Sequence, residues 1–219
     1  MIAPLIILSV FLLLGALAVL VERWHEHGPL LLCTVLMISL VRSAGISMDV
    51  FGLESNWGNV AYAAATFTIG LVALRGRWDW LILGLVAGAM ALATIVTCAG
   101  MLLPVQAGNE EYRHALTTAF GLLPLVTIGA MVAFVVAQAV NLWLVDRLHR
   151  LLHEVAPFWG APLALFFSAL LVQLVDSQLF FPIAFGTLSV PYMGGGYVIK
   201  VALAALGSFV FAPWQHHRP

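Results

Sequence analysis

Charge is what this sequence has least of: only 9% of its 219 residues are Asp, Glu, Lys or Arg, where a soluble domain carries roughly a quarter. That scarcity places the chain in lipid and leaves no room for a separate soluble domain. Clustered Lys and Arg are missing as well, and the formal net charge is −1. Nucleic acid and anionic surfaces are thereby disfavoured as main partners. Cysteine is nearly absent. Cys33 and Cys98 each sit inside an apolar run, where they read as small buried hydrophobes rather than a disulfide or a metal pair. No nucleophile motif, glycine-rich phosphate loop or pair of catalytic carboxylates is found. An enzyme is therefore the least favoured class, and no cofactor or metal is expected.

What the sequence does contain is apolar length, with 63% of its residues hydrophobic. A helix needs about 20 mainly apolar residues to cross a hydrocarbon core of roughly 30 Å. Charged and turn-rich clusters divide the chain into expected spans at about 2–21, 29–47, 59–75, 79–103, 115–144, 160–187 and 193–213. The expected fold is an all-α integral membrane protein, a bundle of six to seven transmembrane helices forming one polytopic unit over 1–219. The first segment lacks a preceding basic residue and a small-residue cleavage site, so it reads as a retained span rather than a signal peptide. The second is a short apolar run followed by Arg42, Ser43, Gly45 and Ser47, the pattern of a broken helix lining a cavity. Arg23, Arg75, Arg77, Arg147, Arg150 and Arg218 fall on one side of this layout, against Arg42 and Arg113 on the other. The positive-inside rule then puts the N-terminus outside and the C-terminus in the cytoplasm. Six of the seven tryptophans, Trp24, Trp57, Trp78, Trp143, Trp159 and Trp214, fall near span ends, where the indole is at home.

A charge at membrane depth costs about 2.5–3.5 kcal/mol on insertion scales, so each one needs a reason. Asp176 is the one acidic residue well inside a span. Gln173 precedes it by three and Ser177 by four, which stacks an amide, a carboxylate and a hydroxyl on one helix face, with Ser168 two turns back. That face suits a polar heterocycle, or equally a hydrogen-bonded contact between helices. Lys200, near the start of the last span, either snorkels to the interface or pairs with Asp176 across a Gly194-Gly195-Gly196 turn. Gln138 and Asn141 form a second polar stripe, read first as helix–helix hydrogen bonds. His149 and His153 have metal-ligand spacing but lie in a charged stretch beside Asp146 and Glu154, and a solvated interfacial helix explains them. In the fourth span Gly84 and Gly88, followed by Ala89, Ala91 and Ala93, offer a close helix contact within the chain or between copies of it.

Two stretches resemble the queuosine-precursor transporters, also called the vitamin uptake transporter family. The first is Phe51-Gly52-Leu53 leading to Gly58-Asn59 and Tyr62. The second runs from Gln138, Asn141 and Asp146-Arg147-Leu148 through Ser168, Gln173, Asp176-Ser177, Phe180 and Ile183-Ala184-Phe185 to Tyr197 and Lys200. The resemblance covers a core of about 29–213, with 2–21 as an extra span. It implies a small polytopic carrier of a bacterial inner membrane that imports 7-deazaguanine precursors of queuosine. It also implies a substrate region made by Gln173, Asp176 and Lys200, with Ser177 beside them, and with Asn59 and Gln138 as further members. Asn141 stands where many members have Asp. Members usually carry an acidic pair that falls here at about Gly70 and Leu74, and no acidic residue occurs between Glu54 and Asp79. Val172 replaces the serine before Gln173.

The expected function is import of a small heterocyclic solute, most directly preQ0, preQ1 or queuine. The competing class is a sensor or assembly module that keeps the fold and moves nothing, for which the missing acids speak; a carrier of another vitamin-like solute is the variant between them. Solute-dependent uptake separates carrier from sensor.

Overall fold

The computed structural model describes residues 2–24, 28–43, 47–50, 52–75, 123–186 and 190–211, with the single positions 88 and 114. The expected fourth span at 79–103 lies outside these apart from Gly88, as do Cys98, Trp78, Trp80, Trp214, His25, His27, His216 and His217. Among the described residues the elements are α1 (Ile2–Trp24), α2 (Gly28–Ser43), β1 (Ser47–Val50), β2 (Leu53–Asn56), α3 (Gly58–Leu74), α4 (Leu123–Val155), α5 (Gly160–Phe185) and α6 (Val190–Phe211). Leu125–Val155, Gly160–Phe185 and Gly194–Phe211 are long and apolar enough to cross a membrane. Leu5–Val21, Gly28–Leu40 and Gly58–Leu74 are shorter apolar helices. The architecture is that of an all-α membrane protein.

Four local features depart from the expected layout. The second helix ends at Ser43 rather than 47, and the chain then folds into an antiparallel hairpin pairing Ser47 with Asn56 and Val50 with Leu53. Gly52 in its turn has φ +80°, a conformation that costs glycine least, and its amide donates to Asp49 Oδ1 at 2.9 Å. The fifth expected span is displaced along the chain, because the charged stretch after Asn141 stays helical to Val155. Nothing in it breaks a helix before Pro157, and Arg150 closes a two-pronged i,i+4 pair on Asp146. Trp143 therefore lies within α4, one turn before the charged stretch, not at a helix end. Lastly, Gly194–Gly196 belong to α6 and make no turn.

α3 is the centre of the molecule. Every residue from Gly58 to Ala73 is buried, which follows from a sequence that is apolar or small on every face. Its alanines at 61, 63, 64 and 65 let neighbouring helices approach closely, and α1, α2, α4, α5 and α6 all pack against it. Cys33 on α2 is one such neighbour, buried, with its thiol directed to the Ala65 carbonyl. α4 and α5 form the most extensive helix pair, joined by the short link 156–159. At Gly196 α6 comes close to α3, and a Cβ there would lie 3.2 Å from Asn59 Nδ2, a tight contact that the Asn59 side chain would have to relieve.

Candidate functional site

The hairpin and the start of α3 are tied together by two asparagines. Asn56 Oδ1 accepts the Asn59 backbone amide at 3.1 Å, satisfying a donor that the helix start leaves open. The Asn59 side chain then donates to Ser55 Oγ at 2.7 Å. These residues form one wall of a cavity that α2, α4, α5 and α6 complete. It holds about 720 Å³, counting the part open to the outside, and is lined by Leu40, Ser55, Asn56, Gly58, Asn59, Tyr62, Val126, Thr127, Ala130, Asp176, Ser177, Phe180, Phe181, Gly196 and Lys200.

One ion pair stands in this wall. Lys200, the only lysine in the sequence, donates from Nζ to Asp176 Oδ2 at 2.6 Å, and the two residues are 7% and 3% exposed. Of the two readings of Lys200, pairing across α5 and α6 is the one realised. Two charges at this depth are tolerated because each neutralises the other, at a desolvation cost that the short contact offsets. The ammonium also lies 4.5 Å from the Tyr62 ring centroid, within cation–π range. Phe180 and Phe181, edge to face at 5.3 Å, add aromatic surface. The cavity thus combines a carboxylate, an ammonium, amide and hydroxyl groups, and ring faces.

Of the residues singled out from the sequence, the cavity brings together Asp176, Ser177, Lys200 and Asn59. Gln138 and Asn141 stand behind it. Gln138 donates to Thr66 Oγ1 at 2.9 Å and to the Tyr62 hydroxyl at 3.4 Å. Asn141 donates to Gln138 Oε1 and to the Thr66 carbonyl, and accepts from Ser168 Oγ at 2.7 Å. This network joins α3, α4 and α5, as the helix-to-helix reading of the stripe expects. Gln173 is wholly buried on α5 and lines neither this cavity nor the smaller one beyond the network, so it does not face the same space as Asp176. Among the described residues no cluster of three metal-ligating side chains occurs.

Tyr62 and Thr66 were not singled out as site residues, though a signal for them exists. Asn59, Tyr62 and Thr66 are spaced i, i+3 and i+7, one stripe of α3, and it is this stripe that faces the pair and the network. Gly70 lies on the same helix where the family's first carboxylate is expected. A Cβ there would come 2.5 Å from Leu165 Cδ2. A side chain at this position requires Leu165 to move.

Residues 79–213, more than half of the chain, match the family described as "putative vitamin uptake transporter". The chain belongs to this family. α4, α5 and α6 lie within the matched stretch, with Asp176 and Lys200, while the vitamin uptake transporter match does not extend to Asn59 and Tyr62 on α3. A curated relative from Bacillus subtilis (strain 168), named "Probable queuosine precursor transporter", is 27% identical over 149 residues, covering 64% of this chain. The chain spans 60% of that relative's length. No solved structure matches.

Proposed function

We propose that the chain is a multi-pass carrier of a bacterial inner membrane that imports a 7-deazaguanine precursor of queuosine. The observation that carries this reading is the Asp176–Lys200 pair in the wall of a cavity otherwise lined by neutral polar groups and aromatic rings. A guanine-like edge offers two adjacent N–H donors beside a carbonyl. Asp176 accepts the donors, and Lys200 or Asn59 supplies a donor to the carbonyl. Tyr62 and Phe180 give ring faces for a planar bicycle, and Ser177 completes the rim. Gln138 and Asn141 hold α3, α4 and α5 in register around the site. The name of the Bacillus relative supports the cargo class.

In this reading residues 1–219 act as one membrane unit, with α1 added to a family core at 29–213. The N-terminus lies outside and the C-terminus in the cytoplasm, which turns the cavity outward. The residues at its wall, 55–62 on β2 and α3, 126–130 on α4, 176–181 on α5 and 196–200 on α6, all belong to the outer half of their helices.

The test is uptake of labelled preQ0 and preQ1 by cells that neither make nor import them, with the wild-type chain and with Asp176→Asn. Import by the wild type that disappears in the variant supports the reading. A well-inserted wild type that imports neither compound overturns the cargo assignment. It would then favour a carrier of another vitamin-like solute, or a sensor on the same fold.

A further inference from the structure

The wall of the Asp176 cavity carries a charge balance. Among the described residues that line it, Asp176 and Lys200 are the charged ones, and they cancel. Their contact is short and their side chains are 5% and 8% exposed, so each charge is answered by the other within the wall. The polar groups around them, on Ser55, Asn56, Asn59, Tyr62, Thr127 and Ser177, are neutral. A paired carboxylate keeps lone pairs for the neutral N–H groups of a ring edge. What it no longer has is an uncompensated charge.

The 7-deazaguanine precursors differ in the charge they bring. preQ0 carries a nitrile where preQ1 and queuine carry an amine, and an aliphatic amine is protonated at neutral pH, as the lysine side chain is. An ammonium reaching this wall either displaces Lys200 from Asp176, which strands one of the two cations, or lies beside the intact pair with no counter-charge of its own. Both arrangements leave an unpaired charge at membrane depth. Ring faces are a weaker substitute for a carboxylate. That of Tyr62 already has Lys200 Nζ 4.5 Å from its centroid, and Phe180, Phe181 and Phe185 pack on one another. A nitrile meets no such obstacle. The lysine ammonium has three donors; one goes to Asp176 Oδ2 and one side is turned to Tyr62, so donor capacity remains for a neutral acceptor in the cavity, with Asn59 and Ser177 on the same wall.

We propose that Lys200 sets the charge preference of the site: by holding Asp176 it makes the cavity select an uncharged 7-deazaguanine over one that bears an ammonium. The inference rests on the carrier reading and narrows the cargo within its class. Specificity of this kind comes from what is denied to the competitor, here a free carboxylate, as much as from contacts made to the favoured solute.

The test is the ratio of two dissociation constants, for preQ0 and for preQ1, measured by calorimetry on the purified full chain at neutral pH. The wild type is expected to bind preQ0 about tenfold or more tightly than preQ1. Lys200→Met frees the carboxylate, and the ratio is expected to move about tenfold or more toward preQ1. A lysine with a merely structural part would lower both affinities alike and leave the ratio where it was. A wild type that binds preQ1 as tightly as preQ0, or more tightly, overturns the preference whether or not the variant folds. A folded Lys200→Met chain with the wild-type ratio overturns the assignment to Lys200. Both of these results leave the carrier reading standing, whereas a folded wild type that binds and imports neither compound removes that reading and the preference with it.

Discussion

Removing either member of the Asp176–Lys200 pair leaves the other as a lone charge among apolar helices, a change that costs about 3–5 kcal/mol in buried pairs. Lys200→Met is therefore expected to lower the stability of the detergent-purified protein by about that amount, and Asp176→Asn combined with Lys200→Met to recover most of it. Thermal unfolding of the two singles and the double measures this; a double as unstable as the sum of the singles would show that the residues do not act as a pair. These two residues were legible in the sequence because charge is so rare in its spans that each instance stands out. Gln138 and Asn141 stood out as amides in an apolar span, and the structure puts them in the helix-to-helix network behind the cavity rather than in its wall. Tyr62 was legible only as part of a family motif, and Thr66 not at all. A neutral hydroxyl is ordinary inside a membrane helix and acquires meaning only from the Gln138 amide that reaches it.

At the scale of the element, apolar length located the helices, but charge and glycine misled about their ends. The expected span ended at 144 while the helix runs on through the charged stretch to Val155, since ionisable residues end a span without ending its backbone. Three successive glycines looked like a turn and are helix, with Gly196 set close against Asn59 of α3. The hairpin at 47–56 was hidden because four-residue strands give too little periodicity to read. The missing family carboxylates belong to this scale too. Restoring one as Gly70→Asp forces a charged side chain against Leu165, combining overpacking of about 1–3 kcal/mol with a charge insertion cost of about 2.5–3.5 kcal/mol. The variant is expected to give little folded protein on size-exclusion chromatography, and adding Leu165→Ala to restore part of the yield. A Gly70→Asp chain that folds as well as wild type would show that the α3–α5 contact is looser than its geometry.

For the whole molecule, the arrangement of the bundle makes orientation and function one question. Arg75, Arg147 and Arg150 lie toward the same end as the smaller cavity, and the hairpin and the larger cavity lie toward the other. A fluorescent protein that matures only in the cytoplasm, fused to the C-terminus, is expected to fluoresce, and a periplasm-dependent phosphatase fused there to stay inactive. The opposite result would turn the Asp176 cavity toward the cytoplasm and overturn the orientation read from the arginines. The general class of fold was legible from composition alone, while the cavity that β2 and five helices close was not, because it depends on which helices are neighbours.

Lys200 has a consequence outside the site as well. As the single lysine of the sequence, it is the one side-chain amine the protein owns, and it is folded away in a cavity wall. Every positive charge on the outer surface is then arginine or histidine. Amine-directed crosslinkers, the common means of mapping the neighbours of a membrane protein, find no other side-chain amine in these 219 residues, so its companions in the membrane must be sought by carboxylate or photochemical coupling.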